Sequence, residues 1–192
     1  MTLLALDQVV AGYRKPVVGP VSFAVKTGEV VGLSGSNGCG KSTLLKALSG
    51  EAKVFGGHVH RAGGLFISLQ KQHPPRLFGF PLNVPEYLRL MRADTTPLPE
   101  WLARFAHARL DSLSGGQFQL LCVWACLASP AGLVLLDEPT NNLDPAGVDL
   151  LGELLANRRQ GQAIVLISHE PRFMTALAPR VVDLNPLHKP EF

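Results

Sequence analysis

The chain has 192 residues, 46% of them hydrophobic and 17% charged, and a formal net charge of +3 at pH 7. That length suits one domain with a buried core, and the composition excludes a disordered polymer. The positive excess is too small to argue for nucleic acid, and no such partner is expected; it fits a mildly basic surface or a phosphate ligand.

The N-terminus, MTLLALDQVV, has neither the charged start nor the apolar core of a signal peptide. The longest apolar run, Leu120 to Ala128, is about half of what a membrane helix needs. A soluble, cytosolic chain is therefore expected, one that serves a membrane only by docking to other subunits. Strands are predicted over Leu3–Val10, Val21–Lys26, Glu29–Ser34, Leu65–Leu69, Leu133–Asp137, Ala163–Ser168 and Val181–Leu184. The later ones are continuous apolar runs, as in strands covered on both faces. Helices are predicted to start at Lys41, Gly115 and Pro145, with a short one after Glu170. Pro145 suits a first helical position, with Asp144 as its cap. This alternation predicts an α/β sheet with its ligand at the carboxyl ends of the strands.

The stretch Lys71–Leu113 differs. It is rich in proline (Pro74, Pro75, Pro81, Pro85, Pro97, Pro99) and has helical patches near Val84–Met91 and Glu100–Ala108. It reads as a small helical insert, reaching with the next helix to about residue 128, inside a single domain of residues 1–192. The three cysteines, Cys39, Cys122 and Cys126, form no CxxC pair, which argues against a disulfide framework or a zinc site. Cys122 and Cys126, one helical turn apart, read as small apolar residues.

Gly35-Ser36-Asn37-Gly38-Cys39-Gly40-Lys41-Ser42 fits GxxxxGKS between a strand and a helix, with Thr43 next. Glycines let backbone N–H groups turn inward around phosphate oxygens, and the helix N-terminus adds positive potential. Lys41 places a cation on the β- and γ-phosphates, and Ser42 offers a hydroxyl to Mg²⁺. Leu133–Leu136 is an apolar strand that ends in Asp137 and Glu138. Asp137 can hold Mg²⁺ through water, and Glu138 can act as general base on an attacking water.

A second anion site follows from Ser114-Gly115-Gly116-Gln117, preceded by Leu113. Ser114 is placed as an N-cap, and two glycines expose the N–H groups of the next helix. Two separated phosphate-grasping helix starts in one chain serve a single nucleotide only when two chains bring them together.

In this order the motifs resemble the ABC ATPase family over essentially the whole chain. GSNGCGKST resembles the Walker A loop, LSGGQ the signature and LVLLDEP the Walker B strand. Asn142-Leu143-Asp144 resembles the D-loop, His169 the switch histidine, Gln70 the Q-loop glutamine, and Tyr13 the aromatic that stacks on adenine. The resemblance implies a P-loop NTPase core of ABC type with an N-terminal antiparallel β subdomain and a helical insert. It implies ATP with Mg²⁺ held by Ser42, Gln70 and Asp137, and catalysis by Glu138, His169 and Gln70. It also implies a second ABC ATPase subunit, a copy of this chain, whose Ser114, Gly115, Gly116, Gln117 and Asp144 meet the nucleotide in trans. The remaining partners are transmembrane permease subunits, so the chain is expected on the inner face of the cell membrane.

Three departures stand out. Phe118-Gln119-Leu120 replaces the usual Gln-Arg pair after the signature, Trp124-Ala125-Cys126-Leu127 lacks a common arginine, and Cys39 sits in the P-loop. The sequence runs 23 residues past His169, so no regulatory C-terminal domain is expected. The run Val59 to Leu90 resembles the ATPase subunits of zinc and manganese importers. The rival readings are a ribosome-associated ABC protein, suggested by Glu138-Pro139-Thr140-Asn141-Asn142-Leu143-Asp144, and a binding-only cassette in a heterodimer.

Overall fold

The apolar runs of the sequence become the centre of a five-stranded parallel sheet. The computed structural model describes residues 1–73, 82–94 and 98–184. Along the chain run β1 (Thr2–Gly12), β2 (Pro16–Lys26), β3 (Val30–Ser34), α1 (Lys41–Ser49), β4 (Lys53–Arg61) and β5 (Ile67–Gln70). Then come α2 (Val84–Leu90), α3 (Glu100–Ala103), α4 (Gly115–Ala128), β6 (Leu133–Asp137), α5 (Pro145–Ala156), β7 (Ala163–Ile167), α6 (Pro171–Leu177) and β8 (Arg180–Asp183). The parallel sheet has the order β5-β6-β7-β3-β8, and a separate antiparallel sheet has the order β2-β1-β4.

Every residue of β6 and β7 is buried. Their alternate side chains go to two different cores, because successive residues of a strand point to opposite faces. Leu133, Leu135, Val165 and Ile167 meet α1 and the antiparallel sheet. Val134, Leu136, Ile164 and Leu166 meet α4, α5 and α6. A third core joins Val84 and Leu88 of α2, Leu102 of α3, and Phe118 and Leu121 of α4. Helix α4 therefore has no solvent-facing stripe and is apolar almost all round.

The predicted antiparallel N-terminal sheet is present, but one of its strands was not expected. β4 is an edge strand, exposed along most of its length. Its residues KVFGGHVHR show no apolar alternation: it pairs with β1 along its backbone, and of its side chains Val59 reaches the first core. Gly57 lies at φ +73, and a Cβ there would come within 2.2 Å of the Gln8 carbonyl oxygen, so only glycine fits this crossing. β2 begins at Pro16, five residues before its predicted start. The patch near Glu100–Ala108 contracts to the one-turn helix α3. Residues 74–81, 95–97 and 185–192 lie outside the described residues. With them go Pro74, Pro75, Pro81 and Pro97 and part of the importer-like run.

Leu135 is fully buried in β6, whereas Val54 on β4 is 43% exposed. Leu135→Ala is expected to lower the free energy of unfolding by about 2–5 kcal/mol, and Val54→Ala by less than about 0.5 kcal/mol. Urea denaturation of the two variants checks this.

Candidate functional site

The phosphate loop joins β3 to α1, and its glycines hold conformations closed to other residues. Gly35, Gly38 and Gly40 lie at φ +141, +79 and +101. At Gly40 a Cβ would sit 2.5 Å from Cβ of Val18. Gly40 caps α1 without a side chain, so the first-turn N–H groups face the loop interior. Lys41 Nζ donates to the carbonyl oxygens of Gly35 (2.8 Å) and Ser36 (3.2 Å), which folds the cation back over the loop. Cys39 is buried at the loop base, while Ser36 and Asn37 are exposed at its tip.

Ser42 Oγ donates to Asp137 Oδ1 at 2.9 Å, which ties the start of α1 to the end of β6. Burial pushes the Asp137 carboxyl above its ordinary pKa; the Ser42 hydroxyl and then Lys46, Lys41 and His73 pull the other way. On the neighbouring strand Gln70 pairs in register with Leu136, one residue before Asp137. Gln70 is buried, and its Oε1 has no hydrogen-bond partner. A hydroxyl at the start of α1, with a carboxylate and an unpartnered amide oxygen at adjacent strand ends, fits a hard cation such as Mg²⁺. Thr43 is buried one position beyond Ser42 in α1.

Glu138 follows at φ +51, a left-handed conformation that costs a non-glycine residue about 1 kcal/mol or more. Several bonds hold it there. Its N–H donates to Ile167 O at 2.9 Å, and its Oε2 accepts from the His169 N–H at 3.1 Å. His169 Nε2 also lies 3.1 Å from Glu138 Oε1, an ion pair when the imidazole is protonated, and Oε1 accepts no hydrogen bond. From the opposite side, Gln119 Nε2 donates to the carbonyl oxygens of both Glu138 and Pro139 at 3.3 Å. Sequence reasoning flagged position 119 only as a departure. The available signal was that Gln119 is the one polar side chain among the nine buried residues of α4.

At the start of α4 Ser114 is the predicted cap. Its Oγ accepts from the Gln117 N–H at 3.2 Å, and Gln117 Oε1 accepts from the Ser114 N–H at 2.9 Å. Gly116 packs against the loop before α5: a Cβ there would meet Asn142 O at 2.9 Å. Asp144 caps α5 through Gly147 N–H at 2.7 Å.

The phosphate loop and the start of α4 open into different clefts. One, of 440 Å³, is lined by Asn37, Gly38, Gly40, Lys41, Ser42, Thr43, Glu138 and His169, among others. The other, of 620 Å³, holds Ser114, Gly115, Gly116, Gln117 and Asp144. They share no residue. Tyr13 lines neither; it is 46% exposed on the turn between β1 and β2.

Comparison with known proteins agrees with this geometry. The ABC transporter family model matches residues 18–80, and an AAA domain model matches residues 108–175. Zinc import ATP-binding protein ZnuC of Ruegeria pomeroyi is 36% identical over 179 residues, covering 89% of this chain and 70% of the relative. ZnuC of Cereibacter sphaeroides is 35% identical over 194 residues, covering 96% and 80%. The chain belongs to the ABC transporter ATP-binding proteins. Among solved structures, an ABC transporter in an inward-facing conformation matches this ABC ATPase with a TM-score of 0.80 at 27% identity, covering 97% of this chain and 81% of that one. An ATP-binding subunit of an ABC transporter shares the fold at a TM-score of 0.79 and 24% identity, covering 96% and 86%. The chain is thus the ATP-binding, ATP-hydrolysing subunit of an ABC transporter, and it works within a transporter complex. Among the described residues no helix is long and apolar enough to cross a membrane.

Gln119→Leu removes the donor that fixes the Glu138 turn and leaves the phosphate loop untouched. The turnover number is expected to fall at least ~10-fold, with the KM for ATP within about twofold of the parent. Steady-state ATPase kinetics separate the two constants.

Proposed function

We propose that this ABC ATPase drives the import of a divalent metal ion, zinc first, as one half of a nucleotide sandwich formed with a second copy of the chain. The observation that carries the mechanism is the separation of the two clefts. A chain whose phosphate loop and signature helix face different spaces uses both on one ATP only when a partner supplies the second. The cargo follows the relatives, zinc import proteins at 33–36% identity over most of this chain.

In this reading the N–H groups of residues 35–43 and the Lys41 ammonium hold the β- and γ-phosphates. Tyr13, exposed above β1, stacks on the adenine. Ser42, Gln70 and Asp137 hold Mg²⁺, which when bound draws charge from the phosphate oxygens. Glu138 presents Oε1, which accepts no hydrogen bond, to the attacking water and takes its proton, while Oε2 stays on the His169 N–H. The His169 side chain, 62% exposed, meets the γ-phosphate as charge builds there. Ser114, Gly115, Gly116 and Gln117 of the second copy close over that phosphate, and its Asp144 lies across the dimer axis. Residues 1–192 act as one nucleotide-binding domain. The helical insert to about residue 128 and the Gln70 loop face the permease on the inner side of the membrane.

Glu138→Gln is expected to bind ATP, to stop hydrolysing it and to accumulate as a dimer. Light-scattering mass measurement with and without ATP checks this, and a variant that stays monomeric with ATP overturns the sandwich. Affinity capture from solubilised membranes is expected to retain a multi-span permease, and a strain lacking the chain to lose zinc uptake at limiting zinc. Capture of ribosomes with unchanged uptake would point to the non-transport class instead.

A further inference from the structure

The signature cleft holds one cation that the motif does not supply. Arg104, the residue that ends α3, lines it together with Ser114, Gly115, Gly116 and Gln117. Arg104 is the only basic residue in that lining, and Asp144 is the only acidic one. Asp144 already accepts the Gly147 N–H as the cap of α5. Leu120, at one of the positions where the sequence departs from the usual basic residue, lines the same cleft and brings no charge.

The Arg104 side chain is anchored at one end of its guanidinium. Nε donates to Trp101 O at 3.0 Å, and Cζ lies 5.1 Å from the centre of the Phe105 ring. The bond and the stacking orient the planar fork. Among the described residues no carboxylate pairs with it. A guanidinium beside a helix N-terminus adds charge of the same sign to a positive field, an arrangement that an incoming polyanion relieves.

We propose that Arg104 binds the terminal phosphates of the ATP carried by the second copy of the chain, as a cation supplied in trans from the helical insert. This rests on the sandwich reading above. The planar fork suits two oxygens of one phosphate.

The test uses the full chain in the Glu138→Gln background, where ATP-driven dimers persist. The ATP concentration at half-dimerisation is measured by light scattering, and ATP binding by the monomer by fluorescence titration in dilute solution. Arg104→Ala is expected to raise the first value about tenfold, the effect of losing one or two charge-assisted hydrogen bonds, and to leave the second unchanged. Arg104→Lys, which keeps the charge but not the fork, is expected to fall between. An unchanged thermal melt for both variants shows that the insert is folded. If Arg104→Ala dimerises at the parent's ATP concentration, the assignment is wrong while the sandwich stands. If the Glu138→Gln parent stays monomeric, the sandwich fails and the assignment falls with it.

Discussion

Two adjacent carboxylates at the end of a fully buried strand set the terms for everything near them. Asp137 and Glu138 are 2% and 3% exposed. Charges so placed are costly unless their surroundings supply donors and counter-charge. Three separate parts of the chain meet them, two with donors to the carboxylates and one by fixing the backbone of Glu138. The hydroxyl of Ser42 comes from α1, the N–H of His169 from the loop after β7, and the hold on the Glu138 backbone from α4. The acids thus gather the phosphate loop, the histidine loop and the signature helix at one point. Burying the two acids has a cost that a cation at the strand ends, as proposed above, would relieve.

The layers explain why such a point can be rigid. β6 is packed on both faces, with one core under the antiparallel sheet and another under three helices. Strands buried on both sides have little freedom to shift, because close-packed neighbours resist displacement of even a methyl group. The ends of these strands are therefore fixed supports for the loops that follow. α4 extends this support into the insert, since its side chains belong to two cores at once.

Much of this was legible in the sequence, and the reason is chemical. Apolar runs such as Leu133–Leu136 admit few arrangements, and a GxxxxGKS loop has a definite backbone requirement that only its glycines meet. β4 stayed hidden because an exposed edge strand paired through its backbone leaves no apolar trace, and its decisive residue, Gly57, reads locally as a break. The role of Gln119 was hidden for the opposite reason. A polar residue within an apolar helix is visible, but its partners are carbonyl groups 19 and 20 residues away, and only the folded chain brings them near. The placement of Tyr13 was not legible either, since an aromatic residue on a turn carries no sign of which way it faces.

The contact made by Gln119 has a consequence for how this protein can vary. Both of its acceptors are main-chain oxygens, present whatever side chains occupy 138 and 139. A loss at 119 cannot be repaired by a matching exchange at either acceptor position, as it can when two side chains meet. Covariation between 119 and its acceptors is therefore not to be expected, although the contact is direct. Redesign of this joint has to proceed through position 119 or through the path of the backbone itself.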